Sequence, residues 1–218
     1  MSDRSGRRGC WALVPVKPFD TAKSRLAEVL PDAARWQLAR DLLEHTLDVL
    51  RSTDQLDGVA VVTRDPEVEA MALARGALPL PETSSRLDGL IDGALDALRA
   101  RGAASALVVL ADLPQLSAAD VVRMIELGAR HPVVLAPDAR EEGTNALLVA
   151  PPDRMRTCFG RRGSFRAHRE RAAELGIETV VFRAPSLAFD LDTVDDLALL
   201  SAAGQSAAGV RPARFRVG

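Results

Sequence analysis

Cysteine is scarce in this chain. Cys10 and Cys158 are the only two in 218 residues; they offer neither metal-ligand spacing nor a disulfide framework, so both read as idle or buried thiols. Long apolar runs are missing as well: no stretch approaches the roughly 18 residues of a membrane span. Arg4, Arg7 and Arg8 are followed by no apolar core of the kind a secretory signal carries, and the expectation is a cytoplasmic protein with no membrane partner. An excess of positive charge is also absent. The net charge is -2 with a pI near 6.0, which argues against a general nucleic-acid binder while leaving room for a local basic pocket. Histidines are few: His45 reads as a packing or surface residue, and His168 as a supporting residue rather than a catalytic one.

What is present is ample core, with 47% apolar residues, and a regular alternation of element types. Short apolar runs at 10–16, 58–63, 77–81, 107–111, 132–137, 146–150 and 176–183 read as strands. Amphipathic segments at 32–50, 67–74, 88–100, 117–127, 165–175 and 193–200 read as helices, with Asp32, Ser117, Ser164 and Thr193 as candidate caps. The pair 132–137 and 146–150, joined by a polar turn, reads as a hairpin-like excursion rather than a crossover. No repeat of fixed period interrupts the alternation. These signals predict a single α/β domain over 1–218, a mostly parallel twisted sheet with helices on both faces. The ends, 1–9 and 204–218, are expected to be loosely ordered. The prolines of 77–81 place that strand near a sheet edge.

The chemistry gathers around Ser105 to Pro114, S-A-L-V-V-L-A-D-L-P. An apolar run of this kind suits a strand buried on both faces, and it stops at Asp112, where an open parallel sheet binds its ligands. A second acidic cluster ends a later apolar segment: Asp190-Leu191-Asp192. In extended chain residues two apart point the same way, so Asp190 and Asp192 project together and Leu191 turns to the other side. Three carboxylates at one edge repel each other unless a cation lies between them. Magnesium, bound by one or two carboxylates and phosphate oxygens, is the expected ion.

Two further segments invite anions. Lys17, Lys23 and Arg25 fall within nine residues after the first strand; they form either a solvated basic loop or a cradle for a triphosphate. Around Gly160, Arg161, Arg162, Gly163 and Ser164, two glycines and a serine precede a helix start, where backbone N–H groups approach anions closely. An ordinary glycine turn with a serine cap is the alternative. Ser84, Ser85 and Arg86 lie in a loop after the third strand and are expected, from position alone, to face a nucleotide.

With these residues in hand, the chain resembles a known family. V-P-V-K-x-x-x-x-A-K-S-R-L (Val14 to Leu26), A-D-L-P (Ala111 to Pro114), E-G-T-N-A-L (Glu142 to Leu147), F-G-x-x-G-S-F-x-x-H (Phe159 to His168) and D-L-D-T-x-D-D-L (Asp190 to Leu197) look like the guanylyltransferases of coenzyme F-420 biosynthesis. The resemblance runs from about residue 11 to 200. It implies a Rossmann-like nucleotidyltransferase fold that joins GMP from GTP to the phosphate of 2-phospho-L-lactate, phosphoenolpyruvate or 3-phospho-D-glycerate, releasing pyrophosphate. By motif, Asp112, Asp190 and Asp192 would hold magnesium, and Thr144, Gly160, Gly163 and Ser164 the phospho-acid. The family's usual single residue between the two glycines is here two, Arg161 and Arg162. Hand-over of the product to the next transferase is an expected partnership, and a homodimer is compatible with it. Two rivals stand beside this reading: a cytidylyl- or uridylyltransferase acting on a sugar phosphate or pterin cofactor, and a non-catalytic nucleotide-binding module on the same fold.

Overall fold

The computed structural model describes residues 9–206, with side chains through residue 200. The first strand, β1 (Cys10–Pro15), leads through a 3-10 turn (Ser24–Leu26) into α1 (Asp32–Arg51). Then follow β2 (Leu56–Thr63), α2 (Pro66–Ala74) and β3 (Leu78–Pro81). After α3 (Leu87–Ala100) the chain forms β4 (Ser105–Val109) and α4 (Ala118–Gly128). The hairpin of β5 (Val133–Pro137) and β6 (Thr144–Val149) precedes α5 (Ser164–Glu174). The last elements are β7 (Thr179–Val181), α6 (Pro185–Ala188) and α7 (Val194–Ser206).

The seven strands make one sheet in the order β3-β2-β1-β4-β6-β5-β7. The chain winds outward from β1 to β2 and β3, then α3 carries it back across to β4 on the other side of β1. This reversal is a topological switch point, where a crevice opens beyond the strand ends. All pairings are parallel except those of β6, which runs antiparallel to both β4 and β5. Thr144, the first residue of β6, is therefore brought to the same sheet edge as the last residues of β1 and β4. The expected edge strand is β3, and the expected hairpin is β5–β6.

Alternation along the strands decides what each face buries. Ala12, Val14, Val59, Val61, Leu107 and Val109 pack beneath α1, α2 and α4, while Leu13, Ala60, Val62, Ala106 and Val108 pack beneath α3 and α5. Both faces are covered, and the run 106–109 is wholly buried, which is why it is apolar at every position rather than every second one. A third, smaller cluster joins Leu26, Leu30, Leu38, Leu42, Leu191 and Leu200. It ties the turn after β1, helix α1 and the segment before α7 into one corner.

Several expectations needed correction. The strand expected at 176–183 shrinks to Thr179–Val181, because Leu175 to Ile177 closes α5 around Gly176, whose φ is 64°. The segment before Asp190, expected as a loop, contains α6, which Pro185 opens at the first helical position. Asp32 and Ser164 are each the first residue of their helix, and the cap positions belong to Pro31 and to Gly163. Ser117 and Thr193 do cap: their hydroxyls accept from the N–H of Asp120 at 3.2 Å and of Asp196 at 3.3 Å. Helix α7 continues to Ser206, through the start of the tail expected to be loose, and the remainder of that tail, like residues 1–8, lies outside the described residues. Among the described residues no helix is long and apolar enough to cross a membrane.

Leu191 is fully buried in the corner cluster between two acidic neighbours. Truncation, Leu191→Ala, is expected to cost about 2–5 kcal/mol of unfolding free energy. Urea denaturation checks this; a loss under about 1 kcal/mol would show that the corner does not anchor the acidic segment.

Candidate active site

A cleft of about 780 Å³ opens at the switch point, between the ends of β1 and β4 on one side and the start of β6 and the 159–164 loop on the other. Lys17, Lys23, Arg25, Asp112, Asp190, Asp192, Thr144, Gly160 and Ser164 all line it. Gly163 does not. Its φ of 70° makes the left-handed turn that aims α5, a conformation that favours glycine. Ser84, Ser85 and Arg86 also stay out of the lining, and from that loop region Glu82 and Leu87 face the cleft instead.

The two acidic segments meet through their backbones. Leu191 N–H donates to the carbonyl of Asp112 at 2.9 Å, which brings Asp190 and Asp192 beside Asp112 while Leu191 points into the core. Asn145, on β6, donates through Nδ2 to Asp190 Oδ1 at 3.3 Å and to the Leu187 carbonyl at 2.9 Å. It thereby fastens α6 and the acid after it to the central sheet. On the far side, Asp196 Oδ2 accepts from the N–H groups of Asp192 and Thr193 at 3.0 and 2.7 Å. Asp196 thus holds the turn after the acids as well as complementing the helix dipole.

Lys23 lies between the carboxylates. Its Nζ is 2.9 Å from Asp192 Oδ1 and 3.3 Å from Asp112 Oδ2, and only 9% of its side chain is exposed. Its backbone is left-handed, with φ 53°, which is uncommon for a residue with a long side chain. Burial alone would push the ammonium's pKa down; Asp112 and Asp192 outweigh that and raise it. Asp192 is the counterpart. Burial pushes its carboxyl up, but Lys23, Arg25 and Lys17 together bring it below the ordinary value. Arg25, with 74% of its side chain exposed, reaches Asp192 Oδ2 at 3.4 Å.

Asp190 is left with the unfavourable share of this charge. Burial first, then the neighbouring Asp112, raises its pKa to about 6. Asp112 Oδ1 is buried with no hydrogen-bond partner, an arrangement that costs about 1–3 kcal/mol for an acceptor and more for a charged one. Among the described residues no three acidic, histidine or cysteine side chains are gathered so as to hold a metal ion by themselves. The donor set therefore suits an ion that takes one or two carboxylates and completes its shell from phosphate oxygens and water. The orphaned Asp112 oxygen and the raised Asp190 both fit such a cation.

The opposite wall sets the hydroxyls of Thr144 and Ser164 among the charged side chains of Asp138, Glu142, Arg161 and Arg162. Thr144 N–H donates to Ser164 Oγ at 3.0 Å, and the two hydroxyl oxygens are 3.4 Å apart. His168, fully buried, stands behind them with Nδ1 3.0 Å from Thr144 Oγ1. Gly160 has φ 75°, and a Cβ there would also approach Leu87 Cβ at 3.0 Å. Arg161 turns to Asp88, donating from Nη2 at 3.1 Å and Nε at 3.3 Å. Arg86 makes a two-point pair with the same carboxyl, at 2.7 and 3.1 Å. These arginines, Arg86 foremost, hold the buried Asp88 well below the usual carboxylate range. Asp138 folds the preceding turn by accepting from the N–H groups of Arg140, Glu142 and Gly143. Asp88, Asn145 and Asp196 were missed as supporting residues. Asn145 carried a signal as a polar residue entering an apolar strand beside Thr144, and Asp196 as an acid three residues after the cap Thr193; Asp88 carried none. Cys10 and Cys158 are free and buried, as expected, and burial pushes the Cys10 thiol up to about 11.

A mostly parallel sheet with a switch-point cleft, acids on one wall and anion-seeking groups on the other, defines the class as a nucleotidyltransferase of Rossmann-like fold. Solved structures agree on the fold. A protein of Desulfovibrio desulfuricans G20 assigned as a nucleotide-diphospho-sugar transferase superposes with TM-score 0.76 at 16% identity, over 92% of this chain and 88% of its own. The 4-diphosphocytidyl-2C-methyl-D-erythritol synthase of Anaerococcus prevotii superposes with TM-score 0.64 at 11% identity, over 90% and 96%. The family follows from sequence. The profile described as "Guanylyl transferase CofC like" matches residues 10–210, and this chain belongs to that family of enzymes. It is 42% identical over 187 residues to the phosphoenolpyruvate guanylyltransferase of Sphaerobacter thermophilus, covering 85% of this chain and 89% of that relative.

Asp190 gives a pH test. The carboxyl holds its proton more tightly in the fold, at about 6, than at the ordinary 3.8 of an unfolded chain. The stability linked to that proton is full below about pH 4 and is lost as pH rises through about 6. Asp190→Asn, which has no such proton to lose, should be more stable than the wild type at pH 7.5 by on the order of 1–2 kcal/mol, allowing for solvent screening. Denaturation curves at several pH values should show the gap narrowing toward pH 4. A variant less stable than wild type at pH 7.5 would contradict the charge account.

Proposed function

We propose that the chain transfers GMP from GTP to the phosphate of phosphoenolpyruvate, releasing pyrophosphate, as a step in coenzyme F-420 biosynthesis. One observation carries the reading: a single cleft has a carboxylate–lysine wall for a nucleotide triphosphate facing a hydroxyl–glycine wall for a second anion. The choice of acid follows the name of the Sphaerobacter relative, with 2-phospho-L-lactate and 3-phospho-D-glycerate as the competing acceptors.

In this reading an oxygen of the acceptor phosphate attacks the α-phosphorus of GTP. The new P–O bond forms as the bond from the α-phosphorus to the bridging oxygen breaks, and pyrophosphate leaves with that electron pair. A phosphomonoester has a second pKa near 6, so the nucleophile is already an anion and needs no general base. The obstacle is repulsion between two anions, and the enzyme's task is to neutralise and align them. Lys17, Lys23 and Arg25 take the triphosphate and stabilise the departing pyrophosphate. Lys23 is held ready by Asp112 and Asp192, and its pairing with them is exchanged for phosphate oxygens when the nucleotide arrives. Thr144, Ser164 and the backbone around Gly160 hold the acceptor, with Gly163 acting through the helix start. Of the three acids expected as ligands, Asp112 and Asp190 would hold magnesium, with Asp192 kept beside them by Lys23; when bound, the ion supplies further neutralisation of the phosphates. The product is a reactive phosphoanhydride, for which hand-over to the next transferase of the pathway is the expected fate.

The test is pyrophosphate release measured with GTP, CTP and UTP against each acid in turn, with magnesium and with magnesium removed by chelation. GTP with phosphoenolpyruvate should be the best pair, and chelation should abolish turnover. Preference for CTP or UTP would sink the guanylyl reading. Asp190→Ala should remain folded and lose about 10²–10³ in turnover; near-normal turnover would remove the acid from the machinery.

A further inference from the structure

Within the hydroxyl wall, one residue is placed to decide which way the hydrogen bonds run. Cys158 N–H donates to His168 Nε2 at 2.8 Å. A backbone N–H can only donate, so Nε2 must offer its lone pair and carries no hydrogen. A neutral imidazole has one N–H, and it is therefore on Nδ1, the nitrogen 3.0 Å from Thr144 Oγ1. The ring is fully buried, and burial, opposed in part by the Ser164 carbonyl, lowers its pKa to about 4. Phe159 packs on it edge to face, with centroids 4.9 Å apart, so it has one orientation.

The consequence passes to the hydroxyls. Thr144 Oγ1 accepts from His168 and keeps its own hydrogen to give. Ser164 Oγ accepts from Thr144 N–H at 3.0 Å and turns its own hydrogen to Thr144 Oγ1 at 3.4 Å, so the threonine hydroxyl is the one left to donate. Both residues line the cleft. We propose that His168 is a positioning residue: the path from Cys158 N–H through its ring to Thr144 fixes the threonine hydroxyl as a donor aimed at the anionic acceptor. The opposite tautomer would have Nδ1 accept the threonine's hydrogen, and would turn a lone pair toward a phosphate or carboxylate oxygen. Such a contact repels. His168 thus acts on binding of the phospho-acid without touching it, and has no part in holding the nucleotide. The inference rests on the proposed assignment of this wall to the acceptor.

Two measurements test it, and they fail separately. The first needs no substrate: ¹⁵N-edited NMR of the imidazoles in the intact chain, where only three histidines need assignment. The expected result is a His168 ring with hydrogen on Nδ1, bare at Nε2, unchanged from pH 5.5 to 8. Hydrogen on Nε2, or titration within that range, overturns the proposal whatever the enzyme's substrate is. The second is steady-state kinetics on His168→Phe and His168→Asn. The phenylalanine variant should raise KM for the acceptor acid about ten- to a hundredfold, the weight of one hydrogen bond to a charged group, with KM for GTP within twofold. Asparagine, whose amide nitrogen can stand near the position of Nδ1, should recover most of that loss. Equal rises in both KM values, an unchanged acceptor KM, or no recovery with asparagine would each overturn the positioning role. If the phenylalanine variant does not fold, Thr144→Val against Thr144→Ser reads the same donor, and only the valine should lose acceptor affinity. A wild type inert toward every acid would instead strike down the proposed function, while the NMR result would still decide the tautomer.

Discussion

The interaction on which the site depends is the buried ammonium of Lys23 between Asp112 and Asp192. Like charges brought together in a partly desolvated cleft drive each other's pKa values upward unless a cation intervenes. Here one does, and its effect is uneven. Asp192, beside Lys23 and Arg25, stays below its ordinary range, whereas Asp190 is pushed up, by burial first and then by Asp112. The cleft is therefore assembled in a state that is electrostatically incomplete. Stability has been given up at the place proposed to receive ligand charge, a trade common at functional sites.

The fold supplies the convergence. Asp112 comes from the loop after β4 and Lys23 from the loop after β1, and those strands are neighbours only because α3 reverses the direction of winding. Asp190 and Asp192 arrive by another route: α6, held to β6 by Asn145, delivers a short extended segment that bonds directly to the Asp112 carbonyl. The corner of leucines around Leu191 then fixes which way that segment faces. Two independent constraints, a backbone hydrogen bond and a buried leucine, thus orient the same pair of acids.

Much of this was legible in the residue pattern. The uninterrupted apolar run ending in Asp112 marked a central strand and its ligand-facing end, because a strand covered on both faces has no polar side to show. Spacing alone placed Asp190 and Asp192 together with Leu191 opposed. What stayed hidden was relational. Nothing in a one-dimensional pattern says that Lys23 reaches residues 89 and 169 positions away, or that Arg161 is drawn aside to a buried Asp88. Helix α6 escaped because four residues are too few to display a period, although Pro185 marked its start. For Gly163 the motif indicates a ligand contact, and the structure adds that its left-handed backbone makes the turn into α5. His168 was visible only as a residue one helical turn from Ser164; its orientation depends on a backbone N–H ten residues earlier, which no motif records.

The reversed direction of β6 has a consequence for how this scaffold changes over time. Because that strand runs against its neighbours, the wall proposed for the acceptor is built from the beginning of a strand and the turn leading into it, whereas the wall proposed for the triphosphate is built where other strands finish. The two halves of the cleft belong to separate stretches of chain, 15–25, 110–112 and 190–192 on one side and 138–145 and 159–164 on the other. Under the proposed function, exchange of residues in the second stretch would alter the choice of small acid while leaving the nucleotide-facing groups in place.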